Sequence, residues 1–212
     1  MNESLWRVAE KKREKADADA RALEISTTMA RRIPNLEEET VTDPLTGLLN
    51  RRGFLPFVEN AIARLKRQGE GGRPVSIIFI DTDDFKSIND RHGHKIGDKV
   101  LKEVGRSLKE HVRGADKVSR HGGEEFVVLL EGASEEDAYK KAETLREMVG
   151  GLKIKLETQE EPLSFTVSLG VASMSWDDDF DDPETTLIDH ANQAMHRAKE
   201  EGKNRTVLFS SD

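Results

Sequence analysis

The chain contains no cysteine, which excludes disulfide scaffolds, zinc ribbons and thiol catalysis. No apolar run approaches the roughly 18 residues of a membrane span, and Met1 to Arg13 is too charged for a signal peptide. A long basic stripe is missing too. With 41 acidic against 33 basic residues and a net charge of −8, holding a nucleic-acid backbone is not expected to be its main work. There is no long low-complexity tract. What remains is expected to be a soluble, cytoplasmic, acidic protein. Its 212 residues make one domain near the upper size limit, or one domain plus an appendage.

Charge is abundant, at 35% of residues, where ordinary domains carry about 25%. It is densest between Met1 and about Thr40, a stretch of Glu, Lys, Arg, Asp and Ala. There Ala9, Ala16, Leu23 and Ala30 recur every seven residues. Such a helix former has too little apolar surface to fold alone, so residues 1–41 read as a coiled-coil stalk or as a fraying tail, the stalk being favoured. Pro34 should end or kink it.

From Asp43 the pattern becomes that of a packed domain, residues 42–212. Phe54, Val58, Ala61, Ile62 and Leu65 mark a first core helix, and Val100, Leu101, Val104, Leu108 and Val112 another. Ser134 with Asp137 opens a third, carrying Ala138, Ala142, Leu145 and Val149 on its buried face. Leu187, Ala191, Ala194, Met195 and Ala198 mark a last helix that stops near Gly202. Strands are expected at Val75 to Ile80, Asp116 to His121, Phe126 to Leu130, Phe165 to Ala172 and Thr206 to Phe209. The second and third form a hairpin around Gly122-Gly123. This mixture predicts an α/β fold of the α+β type: a mixed, mainly antiparallel five-stranded sheet with helices packed on it.

Three stretches carry chemistry. In Ile80-Asp81-Thr82-Asp83-Asp84-Phe85-Lys86, carboxylates gather where a buried strand ends, a rigid mount for a hard divalent cation. Phe85 and Lys86 stand where a calcium-binding EF-hand loop needs an oxygen ligand and glycine, which excludes that motif. One of Asp83 and Asp84 is expected to cap the next helix, leaving Asp81 as the ligand. In Arg120-His121-Gly122-Gly123-Glu124-Glu125-Phe126, strand alternation should send the two glutamates to opposite faces, so that one shares a cluster with Asp81. A charged hairpin tip with no metal is the alternative. In Asn89 to Asp98, an amide and a carboxylate bracket a glycine turn and match the hydrogen-bonding edge of guanine. Asp98 stabilising its own helix is the simpler reading, and His92 and His94 read as loop residues. Lys199, Lys203 and Arg205 gather positive charge around the end of the last helix.

Jointly these segments resemble the GGDEF family of diguanylate cyclases, in its GGEEF form. The resemblance runs through Asp43-Pro44-Leu45-Thr46-Gly47-Leu48-Leu49-Asn50-Arg51-Arg52, Asp81 to Asp98, and Arg113 to Phe126. It continues through Val167 to Ala172 and Ala198 to Arg205. It implies a five-stranded sheet similar to the palm of adenylyl cyclases and polymerases, and condensation of two GTP into cyclic di-GMP with release of two pyrophosphates. It also implies that Asp81, the Thr82 carbonyl and Glu124 hold Mg²⁺ or Mn²⁺, two ions per site, with Glu125 in support and Gly122 and Gly123 admitting substrate. Asn89 and Asp98 would read guanine. Lys199 and Lys203, with backbone near Phe85 and Lys86, would hold the triphosphate.

Arg113-Gly-Ala-Asp116 matches the family's RxxD product-inhibition site, against the alternative of a surface ion pair. Asn192, His196, Lys203 and His121 stand where the family usually has Asp, Tyr, Arg and Tyr, which leaves the metal ligands intact. Because the product is two-fold symmetric, a homodimer is required, and residues 1–41 could supply it. The rival expectations are a cyclic di-GMP sensor that makes no product and a cyclase acting on one nucleotide. Intact Asp81, Glu124 and Glu125 disfavour the first, and guanine-reading Asn89 and Asp98 the second.

Overall fold

The computed structural model describes residues 40–156, 160–178 and 181–210. The stalk expected at 1–41 lies outside them apart from its last two residues. Among the described residues the elements run β1 (Leu49–Asn50), α1 (Arg51–Gln68), β2 (Val75–Thr82), α2 (Phe85–His92), α3 (His94–Glu110), β3 (Lys117–Gly122), β4 (Glu125–Glu131), α4 (Glu135–Gly150), β5 (Val167–Met174), α5 (Pro183–Glu200) and β6 (Thr206–Leu208). No helix among them is long and apolar enough to cross a membrane.

The strands form one six-stranded sheet in the order β1-β3-β4-β2-β5-β6. The inner four pair antiparallel, while β1 joins β3 and β6 joins β5 in parallel. The sheet is mixed and mainly antiparallel, as expected, but has six strands rather than five. The additional one, β1, is two residues long, too short to show a period of its own.

Alternation along the strands builds two cores. Ile78, Ile80, Phe126, Val128, Leu130 and Leu169 face Val100, Val104, Leu108, Ala142 and Leu145 of α3 and α4. Ile77, Phe79, Val127, Leu129 and Met174 face Phe54, Val58, Leu65, Leu187 and Met195 of α1 and α5. The strand β2 is buried throughout, which is why it reads as a nearly continuous apolar run instead of alternating. Each fully buried aliphatic side chain contributes about 1.5–3 kcal/mol of transfer free energy.

Caps set the helix starts. Asn50 Oδ1 accepts from the Gly53 amide at 2.8 Å, and Ser134 Oγ accepts from the Asp137 amide at 3.1 Å, each satisfying a donor that the first helical turn leaves open. The glycine turn before Asp98 is a joint between two helices: Gly93, at a φ of 81°, separates α2 from α3. His92 and His94 are therefore helix-end residues, not loop residues.

At Gly170 in β5 the α5 backbone comes so close that an added Cβ would overlap Ala191 O and Met195 N. Backbone on both sides of the contact leaves nothing flexible to give way. Gly170→Ala is therefore expected to destabilise the domain by more than about 2 kcal/mol, at the upper end for overpacking. Chemical denaturation of both proteins measures it.

Candidate active site

The end of β2 and the start of β4 meet in register, with Asp81 directly across from Glu125. Both continue the rows Ile77-Phe79 and Val127-Leu129, so their side chains leave the sheet on the α1/α5 face. Glu124 is not in the ladder. It sits in the two-residue turn with Gly123, whose φ of 42° suits glycine. The Thr82 amide donates to the Glu124 carbonyl at 3.3 Å. The expectation that the two glutamates take opposite faces of one strand is corrected accordingly: one belongs to the turn and the other to the strand. Gly122 closes β3 rather than lying in the turn.

Asp81 is 4% exposed. Its Oδ2 pairs with Lys199 Nζ at 2.8 Å, while Oδ1 is buried with no hydrogen-bond partner among the described residues. Burial pushes the Asp81 carboxyl above its ordinary value; Lys199 pulls it back, and the neighbouring Glu124 and Asp83 charges add to the rise. Glu125 is likewise raised, first by burial and then by Asp81, against the opposing charges of Lys199, His196 and Arg51. Carboxylates held this way are short of positive charge, and an orphaned buried oxygen is a group that an ion would satisfy. Among the described residues no three acidic or histidine side chains converge closely enough to enclose a metal alone. Mg²⁺ is commonly held by one or two carboxylates, its shell completed by water and phosphates. The Asp81 and Glu125 carboxylates therefore fit a divalent cation.

Neither Asp83 nor Asp84 caps α2 with its side chain, contrary to expectation. Asp84 occupies the N-cap position with no such bond, and its Oδ1 pairs with Lys203 Nζ at 2.6 Å. Asp83 is buried and accepts from Thr166 Oγ1 and Ser168 Oγ at 2.6 Å each and from the Asn204 amide at 3.1 Å. The first amides of α2, at Phe85 and Lys86, thus have no cap from the Asp84 side chain. Phe85 is buried and Lys86 exposed. Asn89, half-buried on α2, packs over Gly97 of α3, where a Cβ would overlap its Oδ1. The missing side chain brings the Asn89 amide beside the residue that precedes the exposed Asp98.

Two supports were not legible as such. Arg120 donates to the Gly123 carbonyl through Nε at 3.0 Å and Nη2 at 2.7 Å, while Nη1 pairs with Asp43 Oδ2 at 3.0 Å. Burial raises the Asp43 carboxyl, but the Thr46 hydroxyl and amide, with Arg120, outweigh it and hold Asp43 below its ordinary value. The Asp43–Gly47 turn is thereby bolted to the glycine turn. Asp83 is the second support, and the only hint of it was a pair of hydroxyls two residues apart at Thr166 and Ser168.

Arg113 and Asp116 lie before β3, at the end of the sheet away from Glu125. Six residues of β3 at about 3.3 Å each separate the two places by roughly 20 Å. They are not a surface ion pair: Asp116 Oδ2 accepts from the Arg113 amide at 3.0 Å, which leaves the exposed guanidinium free of that carboxylate. The loop borders a cleft of about 390 Å³ with Lys140, Lys141 and Thr144.

The central strands of this mixed sheet thus end in two facing carboxylates, beside a helix amino terminus with no side-chain cap and two lysines. The family description "Diguanylate cyclase, GGDEF domain" matches residues 40–205, and the chain belongs to this family. It is 36% identical over 198 residues to Diguanylate cyclase DosC of Escherichia coli K12, covering 89% of this chain and 41% of that protein. It is 41% identical over 170 residues to Response regulator PleD of Caulobacter vibrioides, covering 80% of this chain and 36% of that one. The chain thus spans less than half the length of either relative. Among solved structures, the GGDEF domain of DgcB from Caulobacter crescentus in complex with c-di-GMP superposes with a TM-score of 0.72 at 28% identity, over 81% of this chain and 94% of that one.

The raised Glu125 carboxyl gives a signed prediction. A carboxylate whose folded pKa lies above its unfolded value destabilises the fold wherever it is ionised, and the cost fades as pH falls through the carboxylate range. Glu125→Gln should therefore melt higher than the parent at pH 7 without divalent cation, with the advantage shrinking toward pH 4. Added Mg²⁺ and GTP should raise the parent's melting temperature more than the variant's. Thermal melts at two pH values, with and without both ligands, read this directly.

Proposed function

We propose that the protein condenses two GTP into cyclic di-GMP. The observation that carries this reading is Asp81: a buried carboxylate at a strand end, half satisfied by Lys199 and set across from Glu125. In each of two equivalent steps the 3′-hydroxyl oxygen of one GTP bonds to the α-phosphorus of the other. The bond from that phosphorus to the pyrophosphate oxygen breaks, and the hydroxyl proton leaves to solvent or a nearby carboxylate. Asp81, the Thr82 carbonyl and Glu124, supported by Glu125, would hold Mg²⁺ or Mn²⁺, two per site. When bound, these ions neutralise the phosphates and lower the pKa of the attacking hydroxyl.

The chain's own residues do the positioning. Lys199 and Lys203 carry positive charge to the triphosphate, and the first amides of α2 near Phe85 and Lys86 cradle its oxygens. Asn89 and Asp98 hold the guanine edge. Arg120 fixes the Gly123 carbonyl, so that the turn presents Glu124 in one place. Each domain binds one GTP, so two must face each other across a two-fold axis, and the active form is a homodimer. Residues 1–41 are proposed to raise the local concentration of the second copy. A GTP substrate places the reaction in the cytoplasm.

Arg113 and Asp116 are proposed as the product-inhibition site. The support is the preformed loop, the exposed guanidinium and the cleft beside it, lined by Lys140 and Lys141 as well as by Glu131 and Asp137. Incubation with GTP and Mg²⁺ followed by nucleotide separation should yield cyclic di-GMP and pyrophosphate in a ratio of one to two. Even residues outside the ligand sphere cost 10–100-fold when removed, so Asp81→Asn should lower the rate by at least about 100-fold. Arg113→Ala should lose inhibition by added cyclic di-GMP. Binding of cyclic di-GMP with no formation of it at high protein concentration would identify a sensor module instead.

A further inference from the structure

Lys203, assigned above to the triphosphate, already has a partner in the structure. Its ammonium lies on Asp84 Oδ1, a carboxylate with no role among the metal ligands. The two residues meet in an unusual backbone setting. Asp84, Lys203 and Asn204 adopt φ values of 54°, 64° and 47°, a left-handed region that residues other than glycine enter at a cost and keep only where their surroundings hold them. Asp83 does the holding. Its buried carboxylate takes the Asn204 amide as well as the Thr166 and Ser168 hydroxyls, tying the start of α2 to the loop after α5. Asp84 and Lys203 therefore face each other because both flanks of the pair are fixed.

Among the described residues the Asp84 side chain has no other hydrogen bond or ion pair. It makes no capping bond to α2, although an aspartate at that position ordinarily would. Its one described contact is the lysine that the substrate needs. By contrast, Lys199 rests on Asp81, which is placed for a cation and gains a second partner when one binds.

We propose that Asp84 sets the affinity of the triphosphate site by competing with phosphate for Lys203. In the empty site the carboxylate neutralises the ammonium. For a triphosphate to use Lys203 the pair must open, which leaves Asp84 as a negative charge beside the substrate. Both effects weaken GTP binding, and both favour departure of pyrophosphate, after which the pair re-forms. The pair is exposed, at 41% for Lys203 and 67% for Asp84, so the effect is modest, up to about fivefold in an equilibrium constant. The inference rests on the reading of Lys203 as a triphosphate ligand.

Asp84→Asn isolates the charge, since asparagine has the same size, tolerates the left-handed backbone equally well and loses no cap. Steady-state rates of the full chain with Mg²⁺, and equilibrium binding of a non-hydrolysable GTP analogue, give the readouts. The expected result is a two- to fivefold fall in the GTP KM, in the analogue Kd and in the inhibition constant for pyrophosphate, with kcat moving less than KM. A merely structural lesion would raise these constants instead. In a Lys203→Met background the gain should vanish. If Lys203→Met raises KM but Asp84→Asn leaves it unchanged or raises it, the role of Asp84 is overturned while that of Lys203 stands. If Lys203→Met leaves both KM and analogue binding unchanged, the reading of Lys203 itself fails and this inference with it.

Discussion

The register between β2 and β4 places Asp81 opposite Glu125 at one end of a fully buried strand, and most of the site follows from that pairing. Two carboxylates on one face of a sheet repel each other, and burial raises both. The fold tolerates this because α5 crosses the same face and brings Lys199 to one Asp81 oxygen, while the remaining oxygen stays unsatisfied. The close approach of α5 at Gly170 is what lets a lysine reach so far under the sheet end. Core packing and chemistry are thus set by the same helix.

Around this centre, turns are tied to neighbouring segments by side chains. Arg120 links the Gly123 carbonyl to Asp43, and Asp83 links the start of α2 to the loop carrying Lys203 and Asn204. Binding sites built from turns need such ties, since a turn alone would not hold a catalytic group within a fraction of an ångström. Asp83 and Arg120 are positioning residues in this sense: neither is assigned to substrate, yet each holds backbone that is.

The main core helices could be read from apolar spacing, and β2 from its nearly continuous apolar run. The two-residue β1 could not, and it owes its place to pairing with β3. Adjacent glutamates at 124 and 125 were assigned to alternate faces of one strand, but the strand begins one residue later than that reading requires. The three carboxylates Asp81, Asp83 and Asp84 stand together in the sequence yet do different work. Asp81 faces Glu125 and Lys199, Asp83 is satisfied by hydroxyls more than eighty residues away, and Asp84 takes Lys203, 119 residues on. Local pattern cannot rank such neighbours, since the deciding partners are brought in by the crossings of β5 and α5.

The net charge of −8 spoke against a polyanionic partner, whereas the proposed substrate carries a triphosphate. In the proposed reading location resolves the conflict: carboxylates at the sheet end would recruit cations, and Lys199 and Lys203 would meet phosphate. The most direct test of this account is Mn²⁺ binding to the full chain, followed by electron paramagnetic resonance with a non-hydrolysable GTP analogue present. The account predicts that bound Mn²⁺ appears with the analogue and is lost in Asp81→Asn. Undiminished Mn²⁺ binding in that variant would contradict it.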